Sequence, residues 1–119
     1  MEKEEYYEQA INWAKQKGFS DIKANFGDYE PPVKYTSENR SFTPDITGQK
    51  RGAKSFIEIA LKTDEIRRRI TKWKLLAQLS AIKGGRLILL APNGHKSFTE
   101  RILKTHNLSA QVIYLTSNS

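Results

Sequence analysis

Two short apolar-rich segments near the middle of the chain are joined by a basic connection that contains glycine. Each segment alternates apolar and polar residues, which predicts one strand over Thr43–Thr47 and another over Phe56–Lys62. The first strand carries Asp45 and the second carries Glu58. Antiparallel pairing around a short connection fixes which residues face each other, so this hairpin constrains the fold more than any other stretch of the chain.

The two carboxylates are a candidate functional site because of their spacing. Asp45 and Glu58 are equally far from the Arg51/Gly52 midpoint, so an antiparallel hairpin places them directly opposite each other. Like charges in that position repel, and a shared proton, a basic neighbour or a bound cation must offset the repulsion. A structural alternative is that Glu58 faces solvent or forms a salt bridge with Lys62 or with an arginine of the following helix.

The rest of the chain predicts a single mixed α/β domain in the order helix, three strands, helix, strand, helix, strand. Apolar stripes at helical spacing predict the helices, and alternating or continuous apolar runs predict the strands. The run RLILLA is typical of an interior parallel strand that follows a helical crossover. Within residues 1–119, the predicted elements are a helix at 1–18, a three-stranded meander at 21–62, a basic helix at 63–83, a strand at 86–91, a helix at 97–106, a strand at 110–115 and a frayed end at 116–119.

Local signals predict where these elements begin and end. Thr63 is expected to cap the basic helix, and Ser97 with Glu100 forms a capping box for the next helix. The Gly27–Arg40 segment contains glycine, a proline pair and several polar residues. This composition indicates a long connection, with a strand extension at Val33–Thr36.

Basic charge is concentrated after the first part of the chain. Residues 1–30 carry 4 Lys and 7 acidic residues, a net charge of −3, whereas residues 31–119 carry 16 basic and 6 acidic residues, a net charge of +10. A basic surface around a small acidic centre favours a polyanionic partner, which points to nucleic acid. A solvated basic surface that aids solubility is the alternative.

Several classes of protein are disfavoured by the sequence. The chain has no Cys, so disulfides and thiolate metal ligands are not available. No apolar run approaches membrane-spanning length and no signal-peptide pattern is present, so we expect a cytoplasmic protein with no membrane partner. The GHKS sequence at Gly94–Ser97 lacks the spacing of a phosphate-binding P-loop. His95 and His106 have no second ligand at metal-binding spacing, which predicts surface residues.

The sequence PDI at Pro44–Ile46, followed 13 residues after its Asp by EIA at Glu58–Ala60, resembles the motif of the PD-(D/E)xK nuclease superfamily. The predicted order of elements over Glu4–Leu90 is also similar to the αβββαβ core of that superfamily. The resemblance implies a restriction-endonuclease-like fold with a central mixed sheet flanked by helices, followed here by a further helix and strand. It also implies that Asp45 and Glu58 bind Mg²⁺ or Mn²⁺ and that the chain hydrolyses phosphodiester bonds.

Ala60 stands where the superfamily motif has a Lys, which helps to position or activate the attacking water. Lys62 lies on the same predicted strand face as Glu58, but about 13 Å further along the strand. Some members of the superfamily supply this charge from the following helix, which implies Lys72 or Lys74 here. The three lysines are therefore the catalytic candidates that accompany the two carboxylates.

Further metal ligands and nucleic-acid contacts are also expected. The backbone carbonyl of Ile59 offers a hard oxygen ligand for Mg²⁺. Glu8 resembles an acid of the N-terminal helix that binds metal in some relatives, with a solvated helix residue as the alternative. The predicted nucleic-acid contacts are basic residues of the hairpin connection and the basic helix, with a solvated face as the alternative. They are Lys50, Arg51, Lys54, Arg67, Arg68 and Lys72.

Two functions fit this sequence. The first is a divergent metal-dependent DNA endonuclease, non-sequence-specific or structure-directed, with a homodimer as one form it could take. The second is a nuclease-like fold that does not cleave and serves as a nucleic-acid-binding or protein-interaction module. Only the first requires a divalent metal to act. The surviving carboxylate pair favours the first function, and Ala60 favours the second.

Overall fold

In the described part of the chain, five strands form a central mixed sheet that three helices flank. The computed structural model describes residues 3–115, so the first two residues of the predicted 1–18 helix and the predicted frayed end at 116–119 lie outside it. The helices are α1 (Glu4–Gln16), α2 (Ile66–Ile82) and α3 (Lys96–His106). The strands are β1 (Ser20–Ala24), β2 (Tyr35–Ser37), β3 (Arg40–Phe42), β4 (Ile46–Lys50), β5 (Ala53–Ile59), β6 (Gly84–Pro92) and β7 (Gln111–Leu115).

β5 lies at the centre of the sheet, whose strand order is β1-β4-β5-β6-β7. β4 pairs antiparallel with β1 and β5, whereas β6 pairs parallel with β5 and β7. This arrangement confirms the predicted α/β class with a central mixed sheet, and it confirms the interior parallel strand that follows a helix. Because β5 has a neighbour on each side and a helix packed on each face, its Ser55 and Glu58 side chains are withheld from water.

The β4–β5 hairpin closes through a two-residue turn at Arg51–Gly52. The two residues have φ values of 54° and 79°, as a type I′ turn requires, and glycine adopts the second value without strain. The paired positions run from Lys50 opposite Ala53 to Ile46 opposite Ile57. This register confirms the predicted turn midpoint.

The strands of this hairpin lie closer to the turn than the sequence predicts. The strand predicted over Thr43–Thr47 occupies Ile46–Lys50, and the strand predicted over Phe56–Lys62 occupies Ala53–Ile59. The predicted bounds are wrong because the tight turn lets strand pairing continue up to the turn itself, where the polar sequence had suggested a loop.

A second, two-stranded sheet forms inside the predicted connection Gly27–Arg40. β2 and β3 pair antiparallel, and both residues of their turn have positive φ. The predicted strand extension at Val33–Thr36 is therefore wrong in its bounds, since the strand begins at Tyr35. The Tyr35 ring packs edge-on against Phe56 of β5 with 5.7 Å between ring centroids, which joins the small hairpin to the main sheet.

α2 begins later than the sequence predicts. The Thr63 hydroxyl accepts a hydrogen bond of 3.1 Å from the Glu65 N–H, and this local turn precedes the helix. Glu65 occupies the position before the first helical residue, Ile66, so the predicted cap at Thr63 is wrong. The Arg69 N–H donates to the Glu65 carbonyl at 3.1 Å, so the helical hydrogen bonds begin at Glu65 and not at Thr63.

α3 begins at Lys96, so the predicted capping box of Ser97 and Glu100 is wrong. The His95 N–H donates to the Pro92 carbonyl at 3.0 Å, and the turn that this bond closes starts the helix before Ser97. Ser97 therefore lies inside the first turn, where its side chain makes no cap.

Two hydrophobic cores lie on opposite faces of the sheet. α1 covers one face through the stripe that its sequence predicts, and α2 and α3 cover the other face, where Trp73 and Leu76 are completely buried. No helix within residues 3–115 is long and apolar enough to cross a bilayer. The buried stripe of α1 consists of Tyr7, Ala10, Ile11 and Ala14.

We expect Gly85→Ala to destabilise this fold. A methyl group at position 85 would lie 2.0 Å from the Lys54 carbonyl oxygen, where β6 enters the sheet beside β5. Neither backbone can move away without loss of strand pairing, so we expect the free energy of unfolding to fall by about 3 kcal/mol. Urea unfolding measures the change, with Lys104→Ala at an exposed position of α3 as the control. Equal stability of the two variants would contradict the close approach of the two backbones.

Candidate active site

Asp45 and Glu58 meet at the end of the β4–β5 hairpin. Asp45 directly precedes β4, and extending the strand register by one residue places it opposite Glu58. The Asp45 N–H donates to Glu58 Oε2 at 2.7 Å, and the Ile59 N–H donates to Asp45 Oδ2 at 2.9 Å. The residues are only 4% and 2% exposed, so the predicted facing pair is present and is buried.

Basic neighbours offset the repulsion between these carboxylates. Lys72 Nζ from α2 lies 2.9 Å from Glu58 Oε1 and 3.9 Å from Asp45 Oδ1. Lys3 Nζ lies 3.1 Å from the same Asp45 oxygen, and the Tyr7 hydroxyl donates to it at 3.2 Å. Two ammonium groups, one hydroxyl and two backbone N–H groups therefore surround the pair.

The electrostatics of the pair follow from its burial. Burial raises the pKa of Glu58 above its ordinary value, the charge of Asp45 raises it further, and Lys72 opposes the shift without cancelling it. For Lys72, burial lowers the pKa, but the two carboxylates outweigh burial and raise the pKa above its usual value. Burial, followed by the charge of Asp45, also raises the pKa of Tyr7. Tyr7 therefore stays protonated and acts as a hydrogen-bond donor.

A cavity of about 190 Å³ adjoins the pair and is mainly basic. The Arg69 guanidinium packs over the Trp73 ring at 5.2 Å and donates to the Leu61 carbonyl. Burial lowers the pKa of Arg69, and the nearby carboxylates oppose that shift. The cavity is lined by Lys3, Thr63, Glu65, Arg68, Arg69 and Lys72.

The three candidate lysines occupy different surroundings. Lys72 alone among them contacts the carboxylates within the described residues. Lys62 is exposed after the end of β5, and its backbone N–H donates to His95 Nδ1 at 2.9 Å. Lys74 is exposed and lies in a surface depression with His106. His95 and His106 are both half-buried at the protein surface.

Glu8, the additional side-chain metal ligand expected from the sequence, does not join the carboxylate pair. Residues 3–115 contain no group of three or more His, Cys, Asp or Glu residues that could hold a metal ion, and Glu8 is exposed on α1. Ile59 contacts Asp45 through its backbone N–H. Two side-chain carboxylates are thus the donor set that the described residues provide.

The predicted nucleic-acid contacts divide between the two ends of β5. Lys50 and Arg51 lie at the hairpin turn, and the Lys54 ammonium packs near the Tyr35 ring. Arg68 packs over Phe42 with 4.7 Å between the guanidinium carbon and the ring centroid, on the carboxylate side of the molecule. Lys72 lies at the carboxylates, and Arg67 lines surface depressions on α2.

Lys3 and Tyr7 were missed by the sequence predictions. Tyr7 belongs to the apolar stripe of α1, so its hydroxyl gave no separate signal. Positions four residues apart share one helix face, and this spacing is the signal that could have grouped Lys3 with Tyr7. Nothing in the local sequence indicates that this face approaches Asp45.

The comparisons with known proteins give no relative for this chain: no family model, curated protein or solved structure matches it. The functional argument therefore rests on the geometry of the carboxylate pair and its surroundings.

We expect the stability of Glu58→Gln relative to wild type to increase with pH. The raised pKa means that the folded protein holds the Glu58 proton more tightly than the unfolded chain does. The stabilisation of the folded state by this proton is therefore complete below about pH 4.5 and is lost as the pH rises through the folded pKa. Each pKa unit of difference corresponds to about 1.4 kcal/mol. The amide of the variant has no such proton. Its free energy of unfolding should therefore rise relative to that of the wild type as the pH increases.

Urea unfolding from about pH 4 to about pH 8 measures this difference. Glu5→Gln, which removes a carboxylate from an exposed position of α1, is the matched reference. A stability of Glu58→Gln that declines relative to wild type as the pH rises would show that the assigned direction of the pKa shift is wrong.

Proposed function

We propose that this chain is a divergent metal-dependent DNA endonuclease with a restriction-endonuclease-like fold. Asp45 and Glu58 would bind Mg²⁺ or Mn²⁺, and Lys72 would take the role of the Lys that the motif lacks at Ala60. The observation that carries the proposal is the position of the Lys72 ammonium, 2.9 Å from one carboxylate and 3.9 Å from the other.

The chemistry of the donor set fits a hard divalent cation. Mg²⁺ prefers oxygen ligands and is commonly held by one or two carboxylates together with water and substrate phosphates. Burial and the charge of Asp45 raise the pKa of Glu58, so a cation between the two groups would relieve an unfavourable arrangement. The Ile59 carbonyl is a further candidate ligand. When bound, the metal would supply electrostatic stabilisation of the phosphoryl oxygens during hydrolysis.

The residues around the pair have distinct roles in this proposal. Lys72 would donate to the attacking water or to a phosphate oxygen, since its ammonium lies at the carboxylates and also lines the adjacent cavity. Lys3 and Tyr7 would orient Asp45 through the oxygen that both contact. Arg68 and Arg69 would attract the phosphate backbone to the cavity.

The nature of the substrate follows from the basic character of this region. Contacts from lysine and arginine to phosphates position a nucleic acid without reading its sequence. We therefore propose cleavage that is non-sequence-specific or directed by DNA structure, in the cytoplasm. A homodimer would extend the basic surface.

A second candidate function is a nuclease-like module that binds nucleic acid or protein without cleaving. One observation favours it: each carboxylate oxygen of the pair already has a hydrogen-bond or ion-pair partner within the protein. Such a satisfied pair can be purely structural. The two functions differ in whether activity needs a divalent cation.

Calorimetric titration with MgCl₂ and MnCl₂, combined with plasmid nicking, tests the proposed enzyme. Asp45→Asn and Glu58→Gln each remove one carboxylate charge with little change in shape, so we expect both variants to lose metal binding and nicking. Lys72→Met leaves both metal ligands in place and removes the donor beside them. We expect it to bind metal but to nick roughly a hundredfold more slowly, or slower still.

The matched controls are Lys62→Met and Lys74→Met, which remove the same charge from exposed lysines, and Glu8→Gln. We expect all three to nick at the wild-type rate, and thermal unfolding establishes that each variant is folded. Wild-type nicking by Asp45→Asn would refute the proposal, and equal losses in Lys62→Met and Lys72→Met would remove the special role of Lys72. DNA binding that depends on salt, in a protein that binds no metal, would establish the non-cleaving alternative.

A further inference from the structure

A second cavity lies at the opposite end of β5 from the carboxylate pair. Its volume is about 520 Å³, which falls within the range of about 300–1,000 Å³ that is usual for small-molecule sites. Ala53 and Ser55 of β5 line it, and Glu58 lies about 10 Å further along the strand than Ser55, with its side chain on the opposite face of the sheet. The starts of β6 and β7, the end of α1 and the β4–β5 turn complete the wall. This cavity is therefore separate from the candidate active site.

The charge around this cavity has one sign. None of the described residues that line it is acidic, and four of them are basic. Charges of one sign around a concave surface focus the electrostatic potential and attract counter-ions. A bound anion would therefore be favoured. The basic residues are Lys17, Lys50, Arg51 and Arg86.

Arg86 is held in place by its neighbours. Its backbone N–H donates to Ser55 Oγ at 3.2 Å, and its guanidinium donates to Gln111 Oε1 at 3.0 Å. Both partners also line the cavity. A guanidinium fixed in this way loses less conformational entropy when it binds an oxyanion than a free side chain would.

Two aromatic residues distinguish this cavity from a simple anion site. Trp13 and Phe19 are half-buried in its wall, with ring centroids 6.3 Å apart and planes inclined at 31°. The Lys50 ammonium lies 5.3 Å from the centre of the Phe19 ring. Aromatic rings beside cations are the combination that proteins use to stack a base and hold its phosphate.

We propose that this cavity binds one nucleotide unit. The base would stack on Trp13, and the phosphate would lie among Lys17, Lys50, Arg51 and Arg86. The proposal does not depend on the nuclease activity, because no residue of the carboxylate pair takes part. A free nucleotide and one unit of a single strand share this chemistry, and the experiment separates them.

Quenching of tryptophan fluorescence tests the site directly. Trp73 is completely buried, so a ligand in the cavity reports through Trp13. The probes are AMP, a 5′-phosphorylated oligothymidylate and inorganic phosphate. We expect AMP and the oligonucleotide to quench the emission, and we expect inorganic phosphate to bind much more weakly because it has no base to stack.

Variants of the wall locate the binding. We expect the double variant Lys50→Glu/Arg86→Glu to weaken nucleotide binding by roughly tenfold or more, since two attractive charges become repulsive. Trp13→Leu should weaken it roughly fivefold or more, as measured by calorimetry, because stacking is lost. The matched control is Arg101→Glu/Lys104→Glu, which makes the same charge change at exposed positions of α3.

Each outcome decides the proposal, once thermal unfolding has shown that the variants are folded. Tighter binding of the oligonucleotide than of AMP supports the site as a contact for a nucleic-acid strand, and equal binding supports a free nucleotide. Three results would overturn the proposal: no quenching by either nucleotide, an equal loss in the α3 control, or inorganic phosphate binding as tightly as AMP.

Discussion

The buried contact between Asp45 and Glu58 sets the requirements for everything around it. Removing a carboxylate from water costs several kcal/mol unless charges and hydrogen bonds replace the lost hydration, and two facing carboxylates raise that cost. The groups that replace this hydration are Lys72 from α2, Lys3 and Tyr7 from the N-terminal segment, and two backbone N–H groups. Three separate parts of the sequence therefore converge on one pair of residues in the strand hairpin. A purely hydrophobic hairpin would need none of these contacts.

The geometry of the pair depends in turn on the Arg51–Gly52 turn. Side chains alternate between the two faces of a strand, so a shift of the pairing by one residue would move Glu58 away from Asp45 and place an apolar side chain there. The two-residue turn, with positive φ at both positions, fixes the register that prevents such a shift. The parallel pairing of β5 with β6 then covers the other edge of β5 and completes the burial of Glu58.

The sequence predicts the features that depend on local periodicity. The α/β class, the interior parallel strand, the turn midpoint and the facing carboxylates all follow from alternation, helical spacing and symmetry about one position. Element ends were predicted less well, because the side-chain signals at Thr63 and Ser97 do not determine which carbonyl accepts the first helical hydrogen bond. The role of Lys3 required knowing that the start of α1 approaches Asp45, which no local pattern encodes. Lys72 could be named only as one of three lysines, since the direction of α2 relative to the sheet decides among them.

The position of Lys72 links the structural and the proposed catalytic roles of the carboxylate pair. Its ammonium neutralises the carboxylates and also lines the basic cavity beside them, so a short movement of a flexible side chain would carry it from one to the other. In the proposed enzyme, Asp45 and Glu58 would hold a divalent cation whose charge offsets theirs, and the Lys72 ammonium would then be available to a phosphate in that cavity. A lysine at position 60, directly after β5, could not move in this way. Ala60 is completely buried against α2, which leaves no room for a charged side chain there. The packing of α2 on the sheet therefore buries the side chain at position 60 and also brings the Lys72 ammonium to the carboxylate pair.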